Sequence, residues 1–218
     1  KRDGRLFCFG DGTDGATGQG HNDATLTPTQ VGSASDYVDV DAGALHTCAL
    51  REGGTVVCMG SNEDGQLGDG AVTTQSTLPV ASGSDSDWAM VSAGSIHTCA
   101  VNRSGALYCW GRGTEGQLGD GNDMDSTVPV RVGTDLDWAD VSVGSRHTCA
   151  LKRDGRLFCF GDGSEGATGQ GDTDDALTPT QVAGPSDYVD VDAGALHTCA
   201  LRASGVVVCM GSNQDGQL

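Results

Sequence analysis

The tetrapeptide His46-Thr47-Cys48-Ala49 (HTCA) decides how this chain is organised, because it returns three times. The later copies begin at His97, His147 and His197, at spacings of 51, 50 and 50 residues. A fixed period of this length is typical of architectures in which each repeat is one small unit that packs on its neighbours. We therefore expect a fold built from repeated units of about 50 residues.

Each copy of HTCA has the same surroundings. An Asp-aromatic-hydrophobic step precedes it, a polar turn follows it, and an apolar run then ends in Cys-x-Gly. A loop rich in glycine and aspartate comes next, and a proline-containing segment closes the unit. Short apolar runs separated by turn residues predict β-strands, and no window has the period of an amphipathic helix.

The pattern predicts an all-β chain of propeller blades, each a four-stranded antiparallel sheet of about 50 residues. Residues 56–59 (VVCM) do not alternate between apolar and polar, as expected for a strand buried on both faces between blades. We expect one propeller region, part of a larger propeller or array. Its segments are a partial blade at 1–35, blades at 36–86, 87–136 and 137–186, and a partial blade at 187–218.

A longer repeat is superimposed on the first. Residues 1–67 match residues 152–218 at 54 of 67 positions without a gap, whereas neighbouring units share little beyond their landmarks. The duplicated object is therefore three blades long, spanning 1–151 and restarting at residue 152.

Four motifs resemble those of the regulator of chromosome condensation repeat family. They are a Gly-x-x-His-Thr strand at 43–47, an Asp-Gly hairpin turn at 153–155, a Trp-Gly step at 110–111 and an Asn-x-x-Gly-Gln-Leu-Gly loop at 62–68. The resemblance recurs along the whole chain and implies a β-propeller. It leaves the function open, because this fold hosts many activities.

Eight of the nine cysteines form four pairs whose members are ten residues apart. A hairpin centred on residue 53 makes the first two cysteines direct cross-strand neighbours, within disulfide reach, and the same holds for the other pairs. The ninth, Cys8, has the position of a second member, so its partner is expected before Lys1. The predicted disulfides are Cys48–Cys58, Cys99–Cys109, Cys149–Cys159 and Cys199–Cys209.

Disulfides in every blade are typical of an oxidising compartment, so we expect an extracellular variant of the family, secreted or at the cell surface. Two alternatives compete with this interpretation. The thiols could fill the core without bonding, or His46, Cys48 and Cys58 could hold zinc. Cys-x-x-Cys and His-x-x-x-His spacings are absent, so we expect no metal at these residues.

Acidic loops offer a second class of metal ligand. Two groups bring three carboxylates within six residues, and calcium prefers such oxygen ligands. The EF-hand spacing fails because glycine is missing at its sixth position, so a solvated acidic rim is the main interpretation and calcium the alternative cofactor. The groups are Asp120, Asp123 and Asp125, and Asp172, Asp174 and Asp175.

Two further residue types need an assignment. The repeated histidines, His46, His97, His147 and His197, are expected to be structural and to satisfy buried backbone groups near the blade junctions. Asn102 begins an Asn-Arg-Ser sequon on a predicted hairpin turn and is a candidate glycosylation site.

Composition excludes several classes of function. The 218 residues include 30 acidic and 12 basic side chains, a formal net charge of −18, which disfavours nucleic acid as a partner. No apolar run is long enough to span a membrane. The chain has no Gly-x-Ser-x-Gly elbow, phosphate loop or His-Glu-x-x-His motif, and its Ser and His residues recur by blade, so no enzyme is expected.

Two hypotheses remain. The first is an extracellular structural and interaction scaffold, an adhesin or a filament-forming surface protein that assembles into fibres. Its variable loops at 71–76, 122–126 and 172–176 would contact protein or glycan partners. The alternative is a discrete propeller that binds a protein or glycan on one face, as an inhibitor or a lectin-like module.

Overall fold

The computed structural model describes residues 3–218 as seventeen β-strands and one short 3-10 helix at Thr13–Gly15. The prediction of an all-β chain is therefore confirmed. The strands are β1 (Phe7–Gly10), β2 (Thr25–Gln30), β3 (Tyr37–Ala42), β4 (His46–Arg51), β5 (Val56–Ser61), β6 (Gln75–Ala81), β7 (Trp88–Ala93), β8 (His97–Asn102), β9 (Leu107–Gly111), β10 (Ser126–Arg131), β11 (Trp138–Val143), β12 (His147–Lys152), β13 (Leu157–Gly161), β14 (Ala176–Gln181), β15 (Tyr188–Ala193), β16 (His197–Arg202) and β17 (Val207–Gly211).

Three sheets are complete four-stranded antiparallel blades, β3–β6, β7–β10 and β11–β14, and in each the strands follow sequence order. We call the strands of a blade A, B, C and D in chain order. The A strands of successive blades contact one another, so strand A is innermost and strand D lies at the periphery. The pair β1–β2 forms strands C and D of the first segment, and β15–β17 form strands A to C of the last.

This up-and-down topology sends successive connections to opposite ends of each blade. We call one end the loop face; it carries the A–B turns (43–45, 94–96, 144–146 and 194–196) and the long C–D loops (11–24, 62–74, 112–125 and 162–175). The other end is the turn face, with the B–C turns (52–55, 103–106, 153–156 and 203–206) and the D–A connections (31–36, 82–87, 132–137 and 182–187).

The glycine of each Cys-x-Gly step marks a bend in strand C. Gly60 pairs with His46, and the register between strands C and D shifts between Cys58 and Gly60. Gly60 has φ +119°, and a Cβ atom there would lie 2.5 Å from the Cα atom of His46. Only glycine combines this backbone conformation with so close an approach of the neighbouring strand.

A disulfide joins strands B and C in each of the last four segments. Cys48 lies directly opposite Cys58, with a Cα–Cα distance of 4.1 Å, and the register repeats for the other three pairs. These sulfur atoms are thus unavailable to the alternative zinc site. Cys8 lies on strand C of the first segment without a sulfur partner among residues 3–218, and its expected partner lies outside the described residues.

The hydrophobic core lies between blades. One cluster joins Leu50, Val56 and Leu67 of the first complete blade to Trp88 and Val91 of the second. Strand C of the first complete blade is buried at all six positions, which accounts for its unbroken apolar sequence. A blade in this arrangement buries both of its faces only when its neighbours are present.

A hydrogen-bonded chain of histidine, threonine and a backbone carbonyl crosses three of the junctions between segments. His46 Nε2 lies 2.8 Å from Thr98 Oγ1 in the next blade, and that hydroxyl donates to the carbonyl of Gln66 at 2.8 Å. Because the threonine gives its only hydrogen to the carbonyl, Nε2 of His46 must carry the proton that it donates. The same hydrogen-bonded arrangement recurs as His97–Thr148–Gln117 and His147–Thr198–Ala167.

Burial keeps these histidines neutral. It lowers the pKa of His46 to about 4, that of His97 to about 3 and that of His147 to about 4. A second proton would also have no acceptor at Nδ1 of His46 or His97, because residues 3–218 provide no hydrogen-bond partner for these two atoms. The partner of His46, His97 and His147 is a threonine hydroxyl and not, as expected from the sequence, a backbone group; the threonine makes the backbone bond. The structure assigns no such partner to His197 among the described residues.

Replacing one junction threonine tests how much these hydrogen bonds contribute to stability. Thr148→Val should lower the free energy of unfolding by about 2–5 kcal/mol, because it leaves the buried Gln117 carbonyl and His97 Nε2 without their partner. Thr148→Ser, which keeps the hydroxyl, should cost about 1 kcal/mol for the lost methyl group. Urea unfolding at pH 7.5 measures both.

The equivalent change in the neighbouring junction is a matched control. The indole Nε1 of Trp110 also donates to the Gln66 carbonyl, at 3.0 Å, so Thr98→Val should leave that carbonyl satisfied. Thr98→Val should therefore be less destabilising than Thr148→Val by about 1–2 kcal/mol. Equal losses, or a Thr148→Val protein as stable as the original, would contradict the assigned hydrogen bonds.

The same histidines predict a pH dependence. Their pKa values in the folded state lie below the ordinary 6.5, so the unfolded chain binds more protons than the folded chain as the pH falls. The contribution of the neutral histidines to the free energy of unfolding is therefore fully present above pH 6.5 and declines as the pH falls towards 4. Each histidine should cost up to about 1.4 kcal/mol per pH unit in this window. Urea unfolding at pH 7.5 and 5.5 should show the loss, and His97→Gln should remove about one third of it. Equal stability at the two pH values would refute the prediction.

Candidate interaction surface

The C–D loops are tightly held at their bases. In the loop 62–74, Asn62 Oδ1 accepts a hydrogen bond from the Leu67 N–H at 3.1 Å, and Gln66 Oε1 accepts one from the Asp64 N–H at 3.0 Å. The Leu67 side chain is fully buried. The Asn-x-x-Gly-Gln-Leu-Gly motif thus folds the loop on itself and anchors it in the core with one leucine.

Three of the four C–D loops are also bonded to the next blade. The Gly70 N–H donates to the carbonyl of Thr127 at 2.9 Å, and the Gly121 N–H donates to that of Leu177 at 3.0 Å. Both acceptors lie on the D strand of the following blade. The C–D loops therefore form one continuous surface and not a set of independent flaps.

The variable segments at 71–76, 122–126 and 172–176 all begin in C–D loops and lie on the loop face. Two apolar side chains project from them into solvent: Val72 is 98% exposed and Met124 69% exposed. The loop tips can therefore change without disturbing the packed bases beneath them.

The six candidate calcium ligands lie on this face but do not converge. Asp125 and Asp175 accept hydrogen bonds from backbone N–H groups across their own loops, at 2.9 and 3.0 Å. Asp120 and Asp172 accept from N–H groups two residues further on. The remaining two, Asp123 and Asp174, are exposed. Among residues 3–218, no group of three His, Cys, Asp or Glu side chains is placed to hold a metal ion.

The charges are divided unequally between the two faces. The C–D loops and A–B turns contain 15 acidic residues and only two basic ones, Arg112 and Arg146. The B–C turns and D–A connections contain eight acidic residues, and seven basic residues lie in them or at the strand ends beside them. When the strand ends beside the connections are included, the excess negative charge lies almost entirely on the loop face, because the loop-face strand ends add no charged Asp, Glu, Lys or Arg residue.

Ion pairing follows the same division. On the turn face, Arg51 pairs with Asp36 at 2.9 Å and Arg202 pairs with Asp187 at 2.8 Å. In the third complete blade the same position is Lys152, which contacts Asp135 and lies 2.9 Å from Asp137. On the loop face, among the described residues, the structure shows an ion pair only for Arg112 with Glu115, and His21 Nδ1 lies 3.9 Å from Asp23.

Crowding of carboxylates on the loop face affects their titration. Burial raises the pKa of Asp64, and although nearby Arg112 lowers it, the carboxylates of Asp125, Glu63 and Glu115 raise it further. These groups come from two neighbouring blades. Adjacent C–D loops therefore place their negative charges close enough to repel one another.

More carboxylates line the innermost strands. Asp39, Asp140 and Asp190 each accept a hydrogen bond from the next N–H of their own strand, at 2.9–3.0 Å. Asp41 does the same and also accepts from the Ala93 N–H of the next blade at 2.8 Å. These carboxylates satisfy edge N–H groups that no further strand covers.

The innermost carboxylates also interact across blades. Burial raises the pKa of Asp140, and the carboxylates of Asp190 and Asp192 add to the effect. The space beside the innermost A strands, which we call the channel, is therefore acidic as well.

Asn102, the candidate glycosylation residue, lies half-buried at the end of strand B on the turn face. Its Oδ1 atom accepts hydrogen bonds from the Ser104 N–H and hydroxyl, at 3.1 and 2.7 Å, and from the Ala106 N–H at 3.0 Å. The asparagine thus closes the hairpin turn that follows it.

Sequence reasoning identified the loops and the cysteines but gave no role to the threonine of HTCA. Its recurrence beside every histidine was the available evidence. The division of charge between the two faces was also missed, because it emerges only when alternate connections are assigned to opposite ends of the blades.

Comparison with known proteins bears on the fold and the family. The model of the regulator of chromosome condensation (RCC1) repeat matches residues 3–50, 53–101, 104–151 and 154–201. The chain is 34% identical over 128 residues to the human E3 ubiquitin-protein ligase HERC2, covering 56% of this chain and 3% of that protein. It thus spans a small part of this relative's length.

Two solved structures are similar over nearly the whole chain. Human WBSCR16 superposes with a TM-score of 0.83 at 28% identity, covering 92% of this chain and 54% of that one. Yeast RCC1 (Prp20), solved bound to Kap60, superposes with a TM-score of 0.80 at 24% identity, covering 91% and 49%. The chain therefore spans about half the length of these propellers. Repeat matches along most of its sequence and the propeller geometry together show that this chain belongs to the RCC1 repeat family.

Proposed function

We propose that this chain is a protein-binding RCC1-type propeller that works in an oxidising, extracellular compartment. The observation that carries the proposal is a disulfide built into strands B and C of each complete blade, beneath a surface of variable loops on packed bases. The compartment and the binding role rest on separate arguments.

The disulfides support the compartment. All cysteines of the three complete blades are fully buried: Cys48, Cys58, Cys99, Cys109, Cys149 and Cys159. A single cysteine could fill the core as a small apolar side chain, so packing alone does not require two cysteines opposite each other in each complete blade. Their pairing therefore favours an oxidising compartment, in which the disulfides form. Cross-links of this type are rare in the cytosol.

A binding role is favoured over catalysis. Residues that recur in every blade, such as His46, bond across blade junctions and lie buried there. The ligase name of HERC2 belongs to a protein of which this chain spans 3%, and full-length relatives of that kind contain other domains. The variable and exposed residues are at loop tips, which is where a rigid scaffold displays binding residues.

A discrete binding module is favoured over a fibre. Each peripheral D strand contains a proline, and proline lacks the N–H that pairing with another strand would need. These prolines, Pro28, Pro79, Pro129 and Pro179, protect the outer edges from strand-to-strand assembly. A protein partner is favoured over a glycan, because the C–D loops contain no aromatic residue for a sugar ring to stack on.

Peptide mapping without reduction tests the compartment. In protein isolated from its native source, we expect the pairs Cys48–Cys58, Cys99–Cys109 and Cys149–Cys159 to be fully oxidised. The control is the same protein alkylated after unfolding under reducing conditions. Free thiols at all three pairs in the native sample would overturn the extracellular assignment.

Photo-cross-linking tests the binding role. A photoreactive amino acid would replace Val72 or Met124 on the loop face, or Ala203 on the turn face, one at a time, in the protein expressed by its native cells. We expect a discrete adduct with another protein from at least one position. The absence of an adduct from all three positions, in protein shown to be folded, would contradict a protein-binding role.

A further inference from the structure

We propose that the loop face binds a basic polypeptide segment, rich in lysine or arginine. The inference rests on the proposed protein-binding function and adds which face is used and what chemistry the partner presents. It follows from the charges, from their lack of partners and from the apolar side chains set among them.

Acidic residues are concentrated on the loop face. Negative charge keeps a protein soluble wherever it lies on the surface, so solubility alone does not require one face to hold it. Here the loop face has 15 acidic residues against two arginines, while the turn face has eight against seven. The concentration on one face therefore points to an interaction made by that face.

Carboxylates of the loop face have few ion-pair partners within the described residues. Turn-face aspartates such as Asp36 and Asp187 are paired with arginines of the same blade. On the loop face, Glu63, Asp123 and Asp174 are exposed, and among the described residues the structure gives their carboxylates no ion pair. Carboxylates that repel one another and lack internal partners are stabilised when a cation approaches from outside.

A further feature is the shape of the charged surface. The loop-face mouth of the channel is a depression of about 290 Å³, with Asp41 and Asp192 in its wall beside Ser92 and Ser142. The C–D loops surround it. Apart from Arg112 and Arg146, the charged residues from the outer loops to the channel mouth are acidic. A concave surface of predominantly one sign attracts an oppositely charged segment over a distance.

The last observation is independent of charge. Val72 and Met124, at 98% and 69% exposure, are apolar side chains within the acidic loops. Lysine and arginine carry long aliphatic stems that pack on apolar groups while their charged ends reach nearby carboxylates. An unbranched methionine adapts to such stems, so the surface fits a basic peptide better than it fits a bare metal ion.

The test uses two variants with the same change in net charge. The loop-face variant is Glu63→Gln, Asp123→Asn and Asp174→Asn; within residues 3–218 the structure shows no hydrogen bond to these carboxylates. The turn-face control is Glu52→Gln, Asp85→Asn and Asp87→Asn, three exposed residues of the same types. Fluorescence anisotropy would measure binding of a labelled deca-arginine peptide to the whole chain at about 0.1 M salt, where the Debye length is about 10 Å.

We expect the wild-type chain to bind the peptide and the loop-face variant to bind at least about fivefold more weakly, as the loss of three exposed charge contacts implies. The turn-face control should stay within about twofold of wild type, since net charge acts only weakly at a distance in salt. Circular dichroism and thermal melting would confirm that both variants fold like the wild type.

Equal weakening by the two variants would overturn the proposal, because net charge alone would then explain binding. So would a wild-type chain that does not bind the peptide. The peptide assay needs no native partner, so its failure is separate from that of the proposed function. Cross-links formed only from Ala203 would preserve protein binding and overturn the loop face as the site.

Discussion

The structure depends on one hydroxyl group at each blade junction. The Thr98 hydroxyl accepts a hydrogen bond from His46 of the preceding blade and donates one to that blade's Gln66 carbonyl, in a site closed to water. A misplaced blade would leave two buried polar groups unsatisfied, at a cost of about 1–3 kcal/mol each. The junction thus fixes the angle between blades, on which the channel and both faces depend.

Rigid junctions allow the loop tips to vary. The threonine hydroxyl donates to a backbone carbonyl, so the identity of the accepting residue is free to change. It is Gln66 in the first complete blade, Gln117 in the second and Ala167 in the third. The disulfide holds strands B and C of the same blade beside this bond. Charge could therefore accumulate on the loop face without loss of the blade packing that supports it.

Much of the fold was predictable because its constraints are local. The spacing of ten residues between Cys48 and Cys58 defines a hairpin register, and the structure contains that register and its disulfide. The clustering of Asp120, Asp123 and Asp125 along the chain was a weaker guide, since two of these carboxylates are used to hold their own loop. Nearness in sequence does not set where side chains point.

The repeat, the strands and the cysteine pairs can be predicted from the sequence, because each depends on residues within one blade. The partners of the histidines are set by the packing of blades, since the residue bonded to His46 lies 52 positions away in the next blade. The tertiary structure also decided the division of charge. Successive connections alternate between two ends of the sheets, so acidic and mixed loops that are interleaved along the chain are separated only when the strands pair.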